Sequence, residues 1–125
     1  MKRITALLMV AALVVSIFPL AAFAKSEAHE GMYGGYYYKA SLTSTTDTAT
    51  THMSYAGSVK VRSSGTINYI VSSTNKKGST SLYAPPVVSY AAGSVVLPVG
   101  QRITSVSQKY YVQNVLVDSI ALNVS

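Results

Sequence analysis

Residues 51–62, THMSYAGSVKVR, alternate in character along the whole stretch. Thr51, Met53, Tyr55, Gly57, Val59 and Val61 form one set. His52, Ser54, Ala56, Ser58, Lys60 and Arg62 form the other. Successive side chains on a β-strand point to opposite faces, so a period of two with one apolar set predicts strand structure covering a core. Val and Thr, abundant from Tyr36 onward, are stiff at χ1 and favour this geometry. No stretch after Ala24 repeats apolar residues with the spacing of a helix over three turns.

Reading downstream, Ser63-Ser64-Gly65 has the composition of a three-residue hairpin loop, with Gly65 at the position that needs positive φ. That loop pairs Val61 with Ile67, Val59 with Tyr69 and Lys60 with Asn68, so apolar meets apolar on one face. A second turn is expected at Asn75-Lys76-Lys77-Gly78, pairing Val71 with Leu82. Pro85-Pro86 is expected to end the strand that follows, because proline cannot donate to a ladder. The run Val87 to Leu97 is broken at Ala91-Ala92-Gly93. A last hairpin is predicted around Gln113-Asn114, pairing Tyr111 with Leu116, Tyr110 with Val117 and Lys109 with Asp118. The sum is an all-β chain of about seven short strands, a small antiparallel β-sandwich that is immunoglobulin-like only in strand count.

The N-terminus reads differently. Lys2 and Arg3 precede the apolar run Ile4 to Phe18, Pro19 breaks it, and Ala22-Phe23-Ala24 supplies a small-residue cleavage pattern. This is the order of a secretory signal peptide. The expected organisation is a signal peptide over 1–24, a flexible polar lead over 25–35 and one β-sandwich domain over 36–125. Export follows as the expected localisation, with no stable membrane span after cleavage. Lys2 and Arg3 leave with the signal, which lowers the formal charge from +6 to +4. The chain has no Cys and no Trp, and both Phe lie in the signal, so Tyr supplies every aromatic ring of the mature domain. A secreted domain without cysteine points to a bacterial source.

Catalysis and cofactors find little support. The available bases are Glu27, His29, Glu30, Asp47, His52 and Asp118. None stands in a nucleophile-elbow, zinc-protease or phosphate-loop motif. Glu27, His29 and Glu30 have the chemistry of metal ligands, but three groups on a polar lead are one short of a closed site. Asp118 is expected in a surface pair with Lys109. The sequence therefore predicts no catalytic set, no cofactor and no metal.

Two groups of residues suit partner recognition. Tyr33, Tyr36, Tyr37 and Tyr38 cluster, and alternation must expose at least one ring of the consecutive three. Lys60 and Arg62 are expected to share an outer face with His52. Such a face would attract anionic polymers, and export argues against nucleic acid. The function expected from these features is a non-enzymatic binding or structural module of the bacterial cell envelope or extracellular matrix. Its partner would be an envelope polymer or another extracellular protein. The alternative is a bacteriocin-like antagonist of neighbouring cells.

Overall fold

A computed structural model of the chain describes residues 24–124. The signal-peptide reading of Met1–Ala24 lies outside the described residues, Ala24 excepted. Among the described residues eight strands follow one another without a helix: β1 Lys25–Tyr33, β2 Tyr36–Ser44, β3 Thr48–Tyr55, β4 Lys60–Val71, β5 Lys76–Val88, β6 Tyr90–Val96, β7 Gln101–Val112 and β8 Val115–Asn123. They form two antiparallel four-stranded sheets, ordered β1-β2-β3-β6 and β5-β4-β7-β8. The all-β sandwich expected from the alternation is what forms, with eight strands rather than seven.

The chain changes sheet three times. Residues 56–59 carry it from β3 to β4, Ser89 from β5 to β6, and residues 97–100 from β6 to β7. Ser89 has φ 66° and Gly100 φ 92°, values that let the backbone turn sharply. The other four connections are hairpins. Gly34-Gly35 links β1 to β2 and has φ 59° and 83°. Thr45 Oγ1 accepts the Thr48 amide at 3.0 Å and so closes the β2–β3 turn. Asn75, at φ 56°, ends the β4–β5 turn. Gln113 and Asn114, at 49° and 67°, form the two-residue turn that was expected there.

The odd-numbered set of the 51–62 stretch does face the core. Thr51, Met53, Tyr55, Gly57 and Val61 are buried, whereas His52, Ala56, Ser58 and Lys60 are exposed. Leu42, Met53, Ile67, Leu82, Ile103, Tyr110 and Ile120 fill the space between the sheets. Each such side chain contributes about 1.5–3 kcal/mol by leaving water. Tyr110 adds a polar tie across the sandwich. Its hydroxyl donates to the Ser41 carbonyl at 3.0 Å and lies 2.8 Å from Thr51 Oγ1. Burial pushes this phenol up to about 12.

Four expectations are corrected. Ser63-Ser64-Gly65 is not a loop but the middle of β4, where Gly65 pairs with Leu82 of β5 and Gln108 of β7. The glycine is needed for close approach: a Cβ there would meet the Ser107 carbonyl oxygen and the Gln108 side chain. The β4–β5 turn lies at residues 72–75, three residues earlier than expected, so Val71 pairs with Lys76 and not with Leu82. Pro85-Pro86 lies within β5. That strand is a sheet edge, and its register with β4 shifts between Val61 and Ser63, opposite the prolines. Edge position and bulge together remove the need for the missing N–H groups. Finally, Lys25–Tyr33, expected as a flexible lead, is β1, paired with β2 from Lys25↔Ser44 to Tyr33↔Tyr36.

Candidate functional site

Tyr36, Tyr37 and Tyr38 are consecutive in β2 and therefore separate. Tyr38 points inward and is buried, Tyr37 lies on the outer face, and Tyr36 stands exposed beside the Gly34-Gly35 turn. At this end of the sandwich four connections meet: the β1–β2 turn, residues 56–59, Ser89 and the Gln113-Asn114 turn. Backbone bonds join two of them and tie a third to the start of β4. Ser89 N donates to the Val59 carbonyl at 3.1 Å, and Gln113 N donates to the Lys60 carbonyl at 3.0 Å.

A depression opens there, walled by Tyr33, Tyr36 and Tyr55 and floored by Gly57, Val59 and Val112. The Tyr36 and Tyr55 rings meet edge to face, with centroids 5.9 Å apart and planes at 70°. The Tyr55 hydroxyl donates to the Tyr33 carbonyl at 2.6 Å. This bond anchors the turn that carries Tyr36, and burial raises the Tyr55 phenol. Tyr36 remains 52% exposed, so much of its ring surface faces solvent.

A basic depression adjoins the first and shares Gln113 with it. It is lined by Lys60, Arg62, Pro86, Gln113 and Asn114. Arg62 is held from two sides. Its guanidinium lies 3.9 Å above the Tyr111 ring, and Nε donates to Asn114 Oδ1 at 3.1 Å. A guanidinium fixed in this way loses less freedom when it binds an anion. The structure thus brings together Tyr33, Tyr36, Lys60 and Arg62, which the sequence offered as two unrelated groups. It adds Tyr55, Tyr111, Gln113 and Asn114.

His52 does not join them. It stands on the outer face of β3, in the other sheet, with its ring centroid 6.0 Å from that of Tyr90. The expected shared face fails because the chain crosses between sheets after Tyr55, and the outer faces of the two sheets point apart. Tyr37 also lies on this other face. A hydrogen bond to Glu30 raises its phenol.

The remaining ionisable groups form a second constellation. Asp118 does not pair with Lys109. A register shift between Tyr110 and Tyr111 sets Asp118 opposite Tyr110 and Lys109 opposite Ser119. Asp118 Oδ1 instead lies 2.7 Å from His29 Nδ1, and Oδ2 accepts the Tyr38 hydroxyl at 2.9 Å. His29 Nε2 lies 2.8 Å from Glu27 Oε2. Glu30 alternates to the other face of β1, so Glu27, His29 and Glu30 do not converge. Both ring nitrogens of His29 face carboxylates, which leaves neither for a hydroxyl nucleophile in this arrangement. Sequence proximity grouped Glu27 with His29, but Asp118 on β8 and Tyr38 on β2 join them only when the sheets stack.

Comparison with known proteins finds no matching family model, no similar curated protein and no similar solved structure.

Proposed function

We propose that this chain is a small exported, non-enzymatic binding module that attaches to an anionic, sugar-bearing polymer of the bacterial cell envelope or extracellular matrix. One observation carries the reading: the tyrosine-walled depression and the Lys60/Arg62 depression abut at Gln113. A tyrosine face suits the apolar face of a sugar ring, and the neighbouring cations suit its phosphate or carboxylate groups. Export, read from Met1–Ala24, delivers the domain to where such polymers are, and the net charge of +6 on the whole chain has the right sign.

The test is co-sedimentation of the chain beginning at Lys25 with isolated envelope fractions, across a salt series. Binding should weaken as salt shortens the Debye length below ~8 Å. Lys60→Glu with Arg62→Glu should lower affinity at least about tenfold, which corresponds to ~1.4 kcal/mol. Tyr36→Ala should lower it severalfold and leave the salt dependence in place. Retention that is indifferent to all three changes would refute this site. Killing of the cells whose envelopes retain the protein would shift the reading to the bacteriocin-like antagonist.

A further inference from the structure

β1 ends one sheet and β8 ends the other, and the two edges lie side by side with no backbone ladder between them. The opposite side of the sandwich is closed by the chain itself, where β5 passes through Ser89 into β6. The β1–β8 side is closed by side chains. Among the described residues, the ion pairs are the two that His29 makes, with Glu27 of its own strand and with Asp118 of β8.

The stereochemistry of imidazole decides the charge state of this contact. Glu27 and Asp118 place carboxylate oxygens 2.8 and 2.7 Å from the two ring nitrogens. An ionised carboxylate only accepts, and a neutral imidazole has a single N–H to give. Both bonds exist together only when His29 is an imidazolium. Loss of its proton turns one ring nitrogen into a lone pair facing a carboxylate: one bond breaks, the other survives as a weaker neutral-donor bond, and the attraction of the imidazolium for both carboxylates is lost.

We infer that Glu27, His29 and Asp118 form an acid-tightened clasp: protonated His29 fastens β1 to β8, and its deprotonation loosens the β1 edge. Asp118 is held in place for this role. The Ser119 amide donates to its Oδ1 at 2.8 Å, and the Tyr38 hydroxyl reaches its Oδ2 from β2. Tyr38 gets there by passing Gly31, its partner in the β1–β2 ladder, where a Cβ would lie 2.7 Å from the tyrosine oxygen. The ionisable groups facing the contact are Glu27 from β1, Tyr38 from β2, Tyr110 from β7 and Asp118 from β8. The two phenols stay neutral across the physiological range, with Tyr38 raised by burial and Tyr110 pushed up to about 12.

The direction with pH follows. The hydrogen bond to Asp118 raises the His29 pKa above 6.5, burial opposes it, and Glu27 adds to the rise. A raised histidine contributes fully below its unfolded pKa, and the contribution is lost as pH climbs through the folded value. For Asp118, burial works against ionisation, but the bonds from His29, Tyr38 and Ser119 outweigh it and hold the carboxyl below 3.8. Its contribution is lost only as pH falls through that depressed value. The clasp is therefore shut below the ordinary histidine range and loosens as pH climbs through the raised His29 value.

Amide hydrogen exchange and ring-proton titration by NMR on the unmodified mature chain test this directly. After correction for intrinsic exchange, the β1 amides should open at least about tenfold more often near pH 8.5 than near pH 5.5, while the β4 amides stay protected. His29 should titrate above 6.5. In His29→Gln, β1 should open at the high-pH frequency at both pH values, whereas His52→Gln should behave as the parent. A raised His29 with no change in β1 opening would overturn the clasp and leave only a surface ion pair. An unraised His29 would overturn it as well.

Discussion

Gly65→Asn should destabilise the domain by more than about 3 kcal/mol, above the usual ~1–3 kcal/mol of an overpacked core site. The choice of asparagine is deliberate. It enters the left-handed region readily, so a glycine that serves a tight turn accepts it at small cost. Gly65 is in the middle of β4 and is not among the positive-φ residues. What it provides is space. A Cβ at 65 would collide with the Ser107 carbonyl oxygen, which belongs to the β7 backbone and cannot swing away. It would also strike Gln108, whose buried amide donates to Ser63 Oγ and to the Leu82 carbonyl, each at 3.0 Å. Gln108 Oε1 already lacks a hydrogen-bond partner, so the amide has no better place to go. In a domain of ordinary stability, ~5–15 kcal/mol, this loss is a large fraction of the whole. Urea denaturation measures it. An unfolding free energy within about 1 kcal/mol of the parent would restore the hairpin-loop reading of residues 63–65.

That mistaken loop shows what alternation can and cannot convey. Val61 and Ile67 are six apart, an even number, so they share a face whether the chain runs straight or folds back over three residues. The inner set Met53, Tyr55, Val61 and Ile67 was therefore legible. The path connecting them was not, because Ser63-Ser64-Gly65 has loop composition and its real role depends on Ser107 and Gln108, over forty positions away. The same limit hid the sheet change after Tyr55. Gly57 and Val59 keep the period of two through the crossover, so nothing in the pattern marks the point where His52 and Lys60 part company.

The site was half legible for related reasons. Alternation alone required an exposed ring among Tyr36 to Tyr38 and placed Lys60 and Arg62 outward. Their meeting at one end depends on four connections stacking there, which is a property of topology. The clasp as a whole was illegible. β1 has few apolar residues, since as an edge strand it buries little, and the sequence therefore looks like a solvated lead. The bulge beside Tyr110 then turns Asp118 inward, contrary to a register counted from the Gln113-Asn114 turn.

Val61→Asp and Lys60→Asp provide the sharpest test of the alternation itself, because neighbouring positions receive the same residue. Val61 is fully buried on the central strand β4, between Val87 of β5 and Val112 of β7. Aspartate there exchanges apolar packing for a carboxylate flanked in the ladder by two valines. The expected loss is several kcal/mol, about 4 or more at neutral pH. Lys60 is exposed, and the same change should cost under ~1 kcal/mol. The penalty at position 61 should also depend on pH, with a definite sign. Burial favours the neutral acid and raises the folded pKa of the new carboxyl above the ~3.9 of the unfolded chain. Between those two values the unfolded state gives up its proton first, so stability falls as pH rises through that interval. Val61→Asp should therefore sit closest to the parent near pH 4 and fall furthest behind by about pH 8, while Val61→Thr, which never ionises, should show a smaller and pH-independent deficit. Denaturation midpoints at the two pH values measure all three variants. Equal losses for the aspartates at 60 and 61 would mean that the inward face of β4 is displaced by one residue, since a single slip exchanges every inward and outward side chain of a strand.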